Sequence, residues 1–392
     1  MNPAVLYKHR SCSDHIFTLR QILEKSKEWN APLYANLIDF EKAFGSIHRY
    51  SLWKILRHYG IPSKLVNVIK MLYSDFQSQV ICNAALTDAF SVTTGVKQGC
   101  ILSPFLFILG IDWVMKQVTS GGRRGIRWTL TSVLKDLDYA DDIAPLTHQH
   151  QDMKAKTNAL ATTAGNIGLK INVKKTRHMR MSDRINESII VNGDVVDEVD
   201  HFTHLGSKVS TSGDGEEILV QISKASQAFA SLQGTWRSKN ISQKTKIRFL
   251  KSNVLWRRIL EDDQNHQPQS SSLPEQVPAQ DSLYKLYWPQ TIAKYELRRR
   301  TGTKPITQQV RRKRWKWIGH VLCMLPAALT QVTLRWTPDG RRKRGRLTWR
   351  RTAGKEMKEN SWTWGHLEGQ AADRSQWRTL AEALCVSKHE EG

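Results

Sequence analysis

The chain has 392 residues, with 59 lysines and arginines against 36 aspartates and glutamates, a formal net charge of +23. A chain of this length buries more than one core, so two or three domains are expected. Five scattered cysteines with no CxxC pair argue against a disulfide framework and a four-ligand zinc site, and the longest apolar stretch, 101–115, is interrupted by Pro104, Gly110 and Asp112 and is too short to span a bilayer. With no basic-then-apolar leader at the amino terminus, the expected setting is intracellular, in cytoplasm and nucleus, with no membrane partner.

In chain order, residues 14–29 space Ile16, Leu19, Ile22 and Leu23 along one helical face. Residues 33–40 read as a short apolar strand with Asp39 at its carboxyl end. A helix then runs to about His58 and stops at Gly60 and Pro62. Another is expected over 64–73, followed by β-like runs at 79–82 and 90–93 and a glycine-rich turn at 95–99. Ser103-Pro104 opens a buried helix to about Val118, since proline is tolerated in a first turn. Residues 137–144 read as strand, tight turn and returning strand. A helix over 151–164 leads to a strand at Gly168, and helical spacing returns over 216–229 and 244–260.

Beyond this point the character of the chain changes. Residues 262–282 are rich in Gln, Ser and Pro and read as a flexible linker. Residues 284–392 read as a separate, mostly helical module. The stretch 298–351 holds 17 basic residues and one acid, Asp339, with Trp315, Trp317, Trp336 and Trp349 interleaved. Cations mixed with flat aromatics suit a phosphate backbone and its bases. Arg311, Arg312, Arg314, Trp315, Trp317, Arg341, Arg342, Arg344 and Arg346 are the candidates, a solvated basic face or a nuclear-localisation cluster being the plain alternative. His320 and Cys323 have ligand-like spacing but lack a second pair, and read as helix-face residues.

The chemistry-bearing feature is Tyr139-Ala140-Asp141-Asp142. Two acids at a hairpin tip are ordinarily turn decoration, and a strand-end Asp39 ordinarily caps the next helix. Brought onto one sheet face, however, three carboxylates would repel one another unless cations lay between them, which is the arrangement of a two-metal phosphoryl-transfer site.

Three further segments complete the pattern: Gly95-Val96-Lys97-Gln98-Gly99-Cys100-Ile101-Leu102-Ser103-Pro104, Gly168-Leu169-Lys170-Ile171-Asn172-Val173-Lys174-Lys175-Thr176 and Phe202-Thr203-His204-Leu205-Gly206-Ser207. In this order and spacing the five segments resemble the palm motifs of reverse transcriptases, above all those of non-LTR (LINE-type) retrotransposons. The likeness covers roughly residues 8–260. It implies an α+β fold: a polymerase palm with an antiparallel sheet packed by helices, residual fingers and thumb, and the helical basic module. The expected organisation is fingers at 1–32, palm at 33–210, thumb-like helices at 211–261, linker at 262–283 and module at 284–392.

The resemblance also implies roles. Asp39 and Asp141 match the metal-bridging carboxylates, Asp142 the adjacent acid, and Lys175 a proton donor to pyrophosphate. Two Mg2+ ions are the expected cofactor, being hard and oxygen-seeking. Phe44 matches the aromatic that excludes a ribonucleotide 2′-hydroxyl. Gln98 and Gly99 match the loop on the templating base pair, and Phe202, Leu205 and Gly206 the hairpin that holds the primer end. RNA template, DNA primer or target and deoxynucleoside triphosphates are the expected partners of an RNA-directed DNA polymerase. Departures are Gly45 in place of a second Asp, Pro145 in place of an aliphatic, and His204 in place of a tyrosine. With few residues before Asp39 and no endonuclease segment, the pattern resembles a truncated copy. A non-catalytic nucleic-acid-binding relic is the alternative, and a metal-dependent nuclease a third reading.

Overall fold

The computed structural model describes residues 11–82, 84–122, 124–129, 131–181, 187–211, 223–224, 227–238, 240–249, 306–342 and 349–383. The linker expected at 262–283, Arg344, Arg346 and most of the helical spacing at 216–229 and 244–260 lie outside them. The chain divides into two compact units. The first comprises Met1–Gly206 with Trp336–Lys343, the second Ser207–Arg335 with Arg344–Gly392. The stretch 284–392 therefore contributes to both.

In the first unit, helix α1 (Cys12–Trp29) starts at a capping box, in which Ser11 accepts from the Asp14 amide and Asp14 accepts in return from the Ser11 amide. It ends at Asn30, whose left-handed φ of 52° suits a short polar residue. Phe17, Leu19 and Ile22 are wholly buried. Strand β1 (Tyr34–Leu37) follows. The single helix expected up to His58 is instead a short turn, Ala43–Ser46, and a separate helix α2 (Arg49–His58). Ile47 breaks it: its side chain is fully buried, and it adopts extended backbone (ψ 130°) between the two. Helix α3 (Ser63–Tyr73) follows, then two small ribbons pairing 77–78 with 90–91 and 81–82 with 85–86. Helix α4 (Leu102–Ser120) carries Pro104 in its first turn.

Strands β2 (Asp136–Tyr139) and β3 (Asp142–Thr147) form the expected hairpin, and helix α5 (His150–Gly165) follows. No strand begins at Gly168. Its φ of 85° makes it a turn, where a Cβ would meet the Ser46 carbonyl oxygen at 2.6 Å, and the strand comes later, as β4 (Arg177–Arg180). With β5 (Asp197–Glu198) the sheet order is β5-β4-β1-β3-β2. All neighbours are antiparallel except β4 and β5.

Register assigns the two faces. Asn36 of β1, Pro145 of β3 and Asp136 of β2 share the face covered by α5, where the Asn36 amide donates to Thr157 Oγ1 at 2.7 Å. Tyr139 and Asp142 share the other, where His15 of α1 lies edge-on to the Tyr139 ring at 5.3 Å. Pro145 sits in a central strand, an unusual place for a residue without an amide hydrogen. Ile143 bonds to Ile38 of β1, so position 145 presents its main chain to β1 as well. The β1–β3 ladder has a gap there, between the Ala35–Leu146 pair and the Ile38–Ile143 bridge.

Residues 336–342 pack back on this unit. Lys25 Nζ donates to the Trp336 carbonyl at 2.7 Å and the Trp336 indole to the Arg127 carbonyl at 2.6 Å. Arg342 Nε donates to Glu28 at 2.6 Å, and the Trp336 and Trp128 rings lie 5.4 Å apart.

The second unit is helical over most of its described residues: Gln233–Arg237, Gln243–Phe249, α6 (Ile306–Leu322), α7 (Leu329–Arg335), α8 (Trp349–Glu359), α9 (Trp364–Ala371) and α10 (Arg374–Ala383). Helix α6 packs against α7, α9 and α10. Among the described residues no helix is long and apolar enough to cross a membrane.

Candidate active site

The β2–β3 hairpin turns through two residues, Ala140 and Asp141, between the paired Tyr139 and Asp142. Ala140 takes a left-handed φ of 59° and Asp141 does not, the pattern of a hairpin turn whose hand matches strand twist. Continuing the Ile38–Ile143 register by one step sets Asp39 opposite Asp142, so both carboxylates leave the same face. Asp39 is pinned on its other side too. Its carbonyl accepts from the Asn172 amide at 2.8 Å and its amide donates to Thr176 Oγ1 at 3.3 Å.

The electrostatics fit three acids crowded at one corner. Burial pushes the Asp142 carboxyl up, and Asp141 and then Asp39 push it further. Asp39 Oδ2 accepts no hydrogen bond although that oxygen is buried, and its one described neighbour of opposite charge is the Lys175 ammonium at 3.8 Å. The Asp39 side chain remains 44 % exposed, so this pair contributes little to stability. A carboxylate with unused acceptor capacity beside two more acids is a donor set suited to a hard divalent cation. Among the described residues, no three His, Cys, Asp or Glu side chains are gathered closely enough to hold a metal as they stand.

The supporting residues were not visible as motifs. Burial and the neighbouring Cys12 thiol push the Tyr139 phenol up to about 12, the thiol contact being the larger cause. Beneath the hairpin, burial raises Asp136 and Asp138, the second further through the first, while it lowers Lys156 to about 8. Lys156 Nζ donates to the carbonyls of Lys135 (2.5 Å) and Leu146 (3.1 Å), tying α5 to β3 and to the residue that leads into β2. The alternating acids 136, 138 and 142 in one hairpin were the available signal.

The other expected residues divide. Phe44 stacks on Phe107 with ring centres 4.6 Å apart, and its carbonyl accepts from the Val96 amide at 2.7 Å. This joins its turn to the loop that carries Gln98 and Gly99, both exposed, Gly99 with φ 88°. Phe202 is buried on the strand 201–204, and Leu205 and Gly206 form the turn after it, with φ of 50° and 79°. The His204 ring beside Phe202 is pushed to about 4, chiefly by burial and then by His15.

The basic candidates change character. Trp315 is 0 % exposed and Trp317 is also buried, so neither ring is presented for stacking on a base. Arg314, 3 % exposed, donates to Glu356 Oε1 and the Trp315 indole to Glu356 Oε2, each at 2.7 Å. Arg311 pairs with Glu356 and Glu359, and Arg312 with Glu382. Trp315, Trp317 and Arg314 lie in the interior of the helical unit, with the Arg311–Glu359 and Arg312–Glu382 pairs at its edge. A dense run of Arg and Trp looks the same in sequence whether it coats a surface or closes a core. Arg341 is exposed, and Arg342 is held by Glu28.

A family model described as reverse transcriptase (RNA-dependent DNA polymerase) matches residues 4–254. Curated relatives include the Retrovirus-related Pol polyprotein from type-2 retrotransposable element R2DM of Drosophila melanogaster, 25% identical over 166 residues, which are 42% of this chain and 15% of the relative. The corresponding polyprotein from type-1 retrotransposable element R2 of Popillia japonica is 24% identical over 213 residues, 51% of this chain and 34% of the relative. The Transposon TX1 uncharacterized 149 kDa protein of Xenopus laevis is 27% identical over 175 residues, 43% and 13% respectively. The chain thus spans about a third or less of the length of these relatives. Among solved structures, a Candida albicans telomerase in complex with an RNA fragment aligns with a TM-score of 0.41 at 13% identity, over 85% of this chain and 50% of that one. With a match over well more than half its length, and relatives encoded by R2 and TX1 elements, the chain belongs to the reverse transcriptase family, on its non-LTR retrotransposon side.

Proposed function

We propose that this chain is an RNA-directed DNA polymerase that adds deoxynucleotides to a DNA primer on an RNA template. The observation that carries the reading is the shared sheet face of Asp39 and Asp142, with Asp141 at the turn beside them. Asp39 and Asp141, supported by Asp142, are the residues that would hold Mg2+, which when bound lowers the pKa of a primer hydroxyl and stabilises departing pyrophosphate oxygens. Lys175, at 3.8 Å from Asp39, holds a proton where the leaving group forms. Phe44, backed by Phe107, excludes a 2′-hydroxyl by bulk. Gln98 and Gly99 meet the templating pair, and Phe202, Leu205 and Gly206 hold the primer end.

The test is magnesium-dependent extension of oligo(dT) on poly(rA), with Asp141→Ala as the paired control. Extension by the native chain that is lost in the variant supports the reading. Because the acids are not gathered into a three-donor metal cluster, a second reading stands: nucleic-acid binding without catalysis. Salt-sensitive RNA or DNA binding that Asp141→Ala leaves unchanged, with no extension by a folded native sample, selects it.

A further inference from the structure

Arg49 is the first residue of α2, a position where the helix dipole disfavours a cation. Its side chain does not stay there. Nε donates to the Gly95 carbonyl at 2.8 Å, one terminal nitrogen to the Thr94 carbonyl at 3.0 Å and the other to the Tyr73 carbonyl at 3.4 Å. Tyr73 is the last residue of α3, so the same charge now lies at a helix C-terminus, where it is favoured. The guanidinium also lies over the rings of Tyr73 and Phe76, 5.0 and 5.6 Å from their centres.

The segment it grips is the start of the Gln98 loop, and the other side of that segment is tied to the Phe44 turn. The Gly95 amide donates to the Ile47 carbonyl at 2.9 Å, the Val96 amide to the Phe44 carbonyl at 2.7 Å, and Thr94 Oγ1 to the Gly45 carbonyl at 3.0 Å. The two main chains touch directly. Gly95 has φ 74°, and a Cβ there would lie 2.6 Å from the Gly45 main chain.

We infer that Arg49 is a positioning residue, locking the loop that carries Gln98 against the turn that carries Phe44. The group that meets the templating pair and the group that meets the nucleotide sugar thereby keep one spacing. A planar fork reaching three carbonyls does this, and a lysine, as a single point charge, does not. The inference rests on the proposed polymerase reaction for its kinetic consequence, while its structural content stands apart from that reaction.

The experiment uses the full chain and the variants Arg49→Ala and Arg49→Lys. Hydrogen exchange reads the lock itself. Loss of two or three carbonyl contacts speeds exchange at the Gly95 and Val96 amides by about tenfold or more in both variants, with the α4 amides unchanged. Native exchange rates at those two amides, or an equal rise throughout the unit in both variants, overturn the inference. In primer extension, KM for the deoxynucleotide rises by about tenfold, discrimination against the ribonucleotide falls, and kcat changes by less than about threefold. Rescue by Arg49→Lys, or a fall in kcat with KM unchanged, also overturns it. A native chain that extends no primer refutes the polymerase reading, and the exchange measurement then decides the role of Arg49 alone.

Discussion

The two units spend their charged groups differently. In the first, Asp39, Asp141 and Asp142 gather at the hairpin turn, where burial and then the neighbouring charges make Asp142 harder to ionise, and a buried oxygen of Asp39 accepts no hydrogen bond. In the second, Glu356 takes the Arg314 guanidinium on one oxygen and the Trp315 indole on the other, in the interior. Burying such groups costs free energy that their partners must offset; both Glu356 oxygens are engaged here, while Arg314 Nε is left without a hydrogen bond. Glu356 has used both carboxylate oxygens to hold helices together. The acidic corner retains its capacity, and retained capacity is what a ligand or a reaction can use.

The largest effect that would sharpen this contrast is on the acids. Asp141→Ala should lower primer extension by about a thousandfold while leaving unfolding free energy within about 0.5 kcal/mol. A variant that unfolds instead would place Asp141 among the structural groups. Trp315→Ala should cost about 3–5 kcal/mol in the unfolding of the second unit, read by denaturant titration. A stable variant with weakened RNA binding would break the comparison. Glu356→Gln leaves the buried Arg314 without its counter-charge and should cost about 3 kcal/mol in the same titration.

The first unit has a buried polar cluster of its own. His178 Nδ1 lies 2.5 Å from Asn36 Oδ1, and its Nε2 is buried with no hydrogen-bond partner. Burial, with His150 and Arg180 behind it, lowers its pKa to about 4. The folded state therefore prefers the neutral ring. Its contribution is fully present above about pH 6.5 and is lost as pH falls from there towards 4, amounting to about 3 kcal/mol. Stability measured across that window should flatten in His178→Gln, and an unchanged slope would exclude His178 as the source. The smallest effect is expected at Gly45→Asp. A Cβ there meets only Lys42 Cβ, at 4.0 Å, so thermal stability should move by less than about 0.5 kcal/mol.

The parts legible in sequence are those where local pattern and final surroundings agree. Helices α1, α4 and α5 were visible because their apolar spacing matches the faces they bury, and the Asp141 hairpin because its turn and alternation are local. The break at Ile47 was not visible, since helical spacing runs through it and only the depth of its burial argues for extended backbone. The β4 strand was displaced from Gly168 to Arg177 because a glycine with positive φ marks a turn that the apolar residues around it disguise. Trp315 and Arg314 were read as a surface because composition carries no inside or outside. Arg49 left one local trace, a cation where a helix dipole opposes it, and such broken rules are worth following in sequence.

The docking of Trp336 against Lys25 joins residues 311 positions apart. During synthesis at about 5–20 residues per second, α1 leaves the ribosome roughly fifteen to sixty seconds before its covering segment exists. In that interval Trp128 and the side of α1 that bears Lys25 and Glu28 await their partners, so the first unit reaches its finished form only after the larger part of the second, residues 207–335, has been translated.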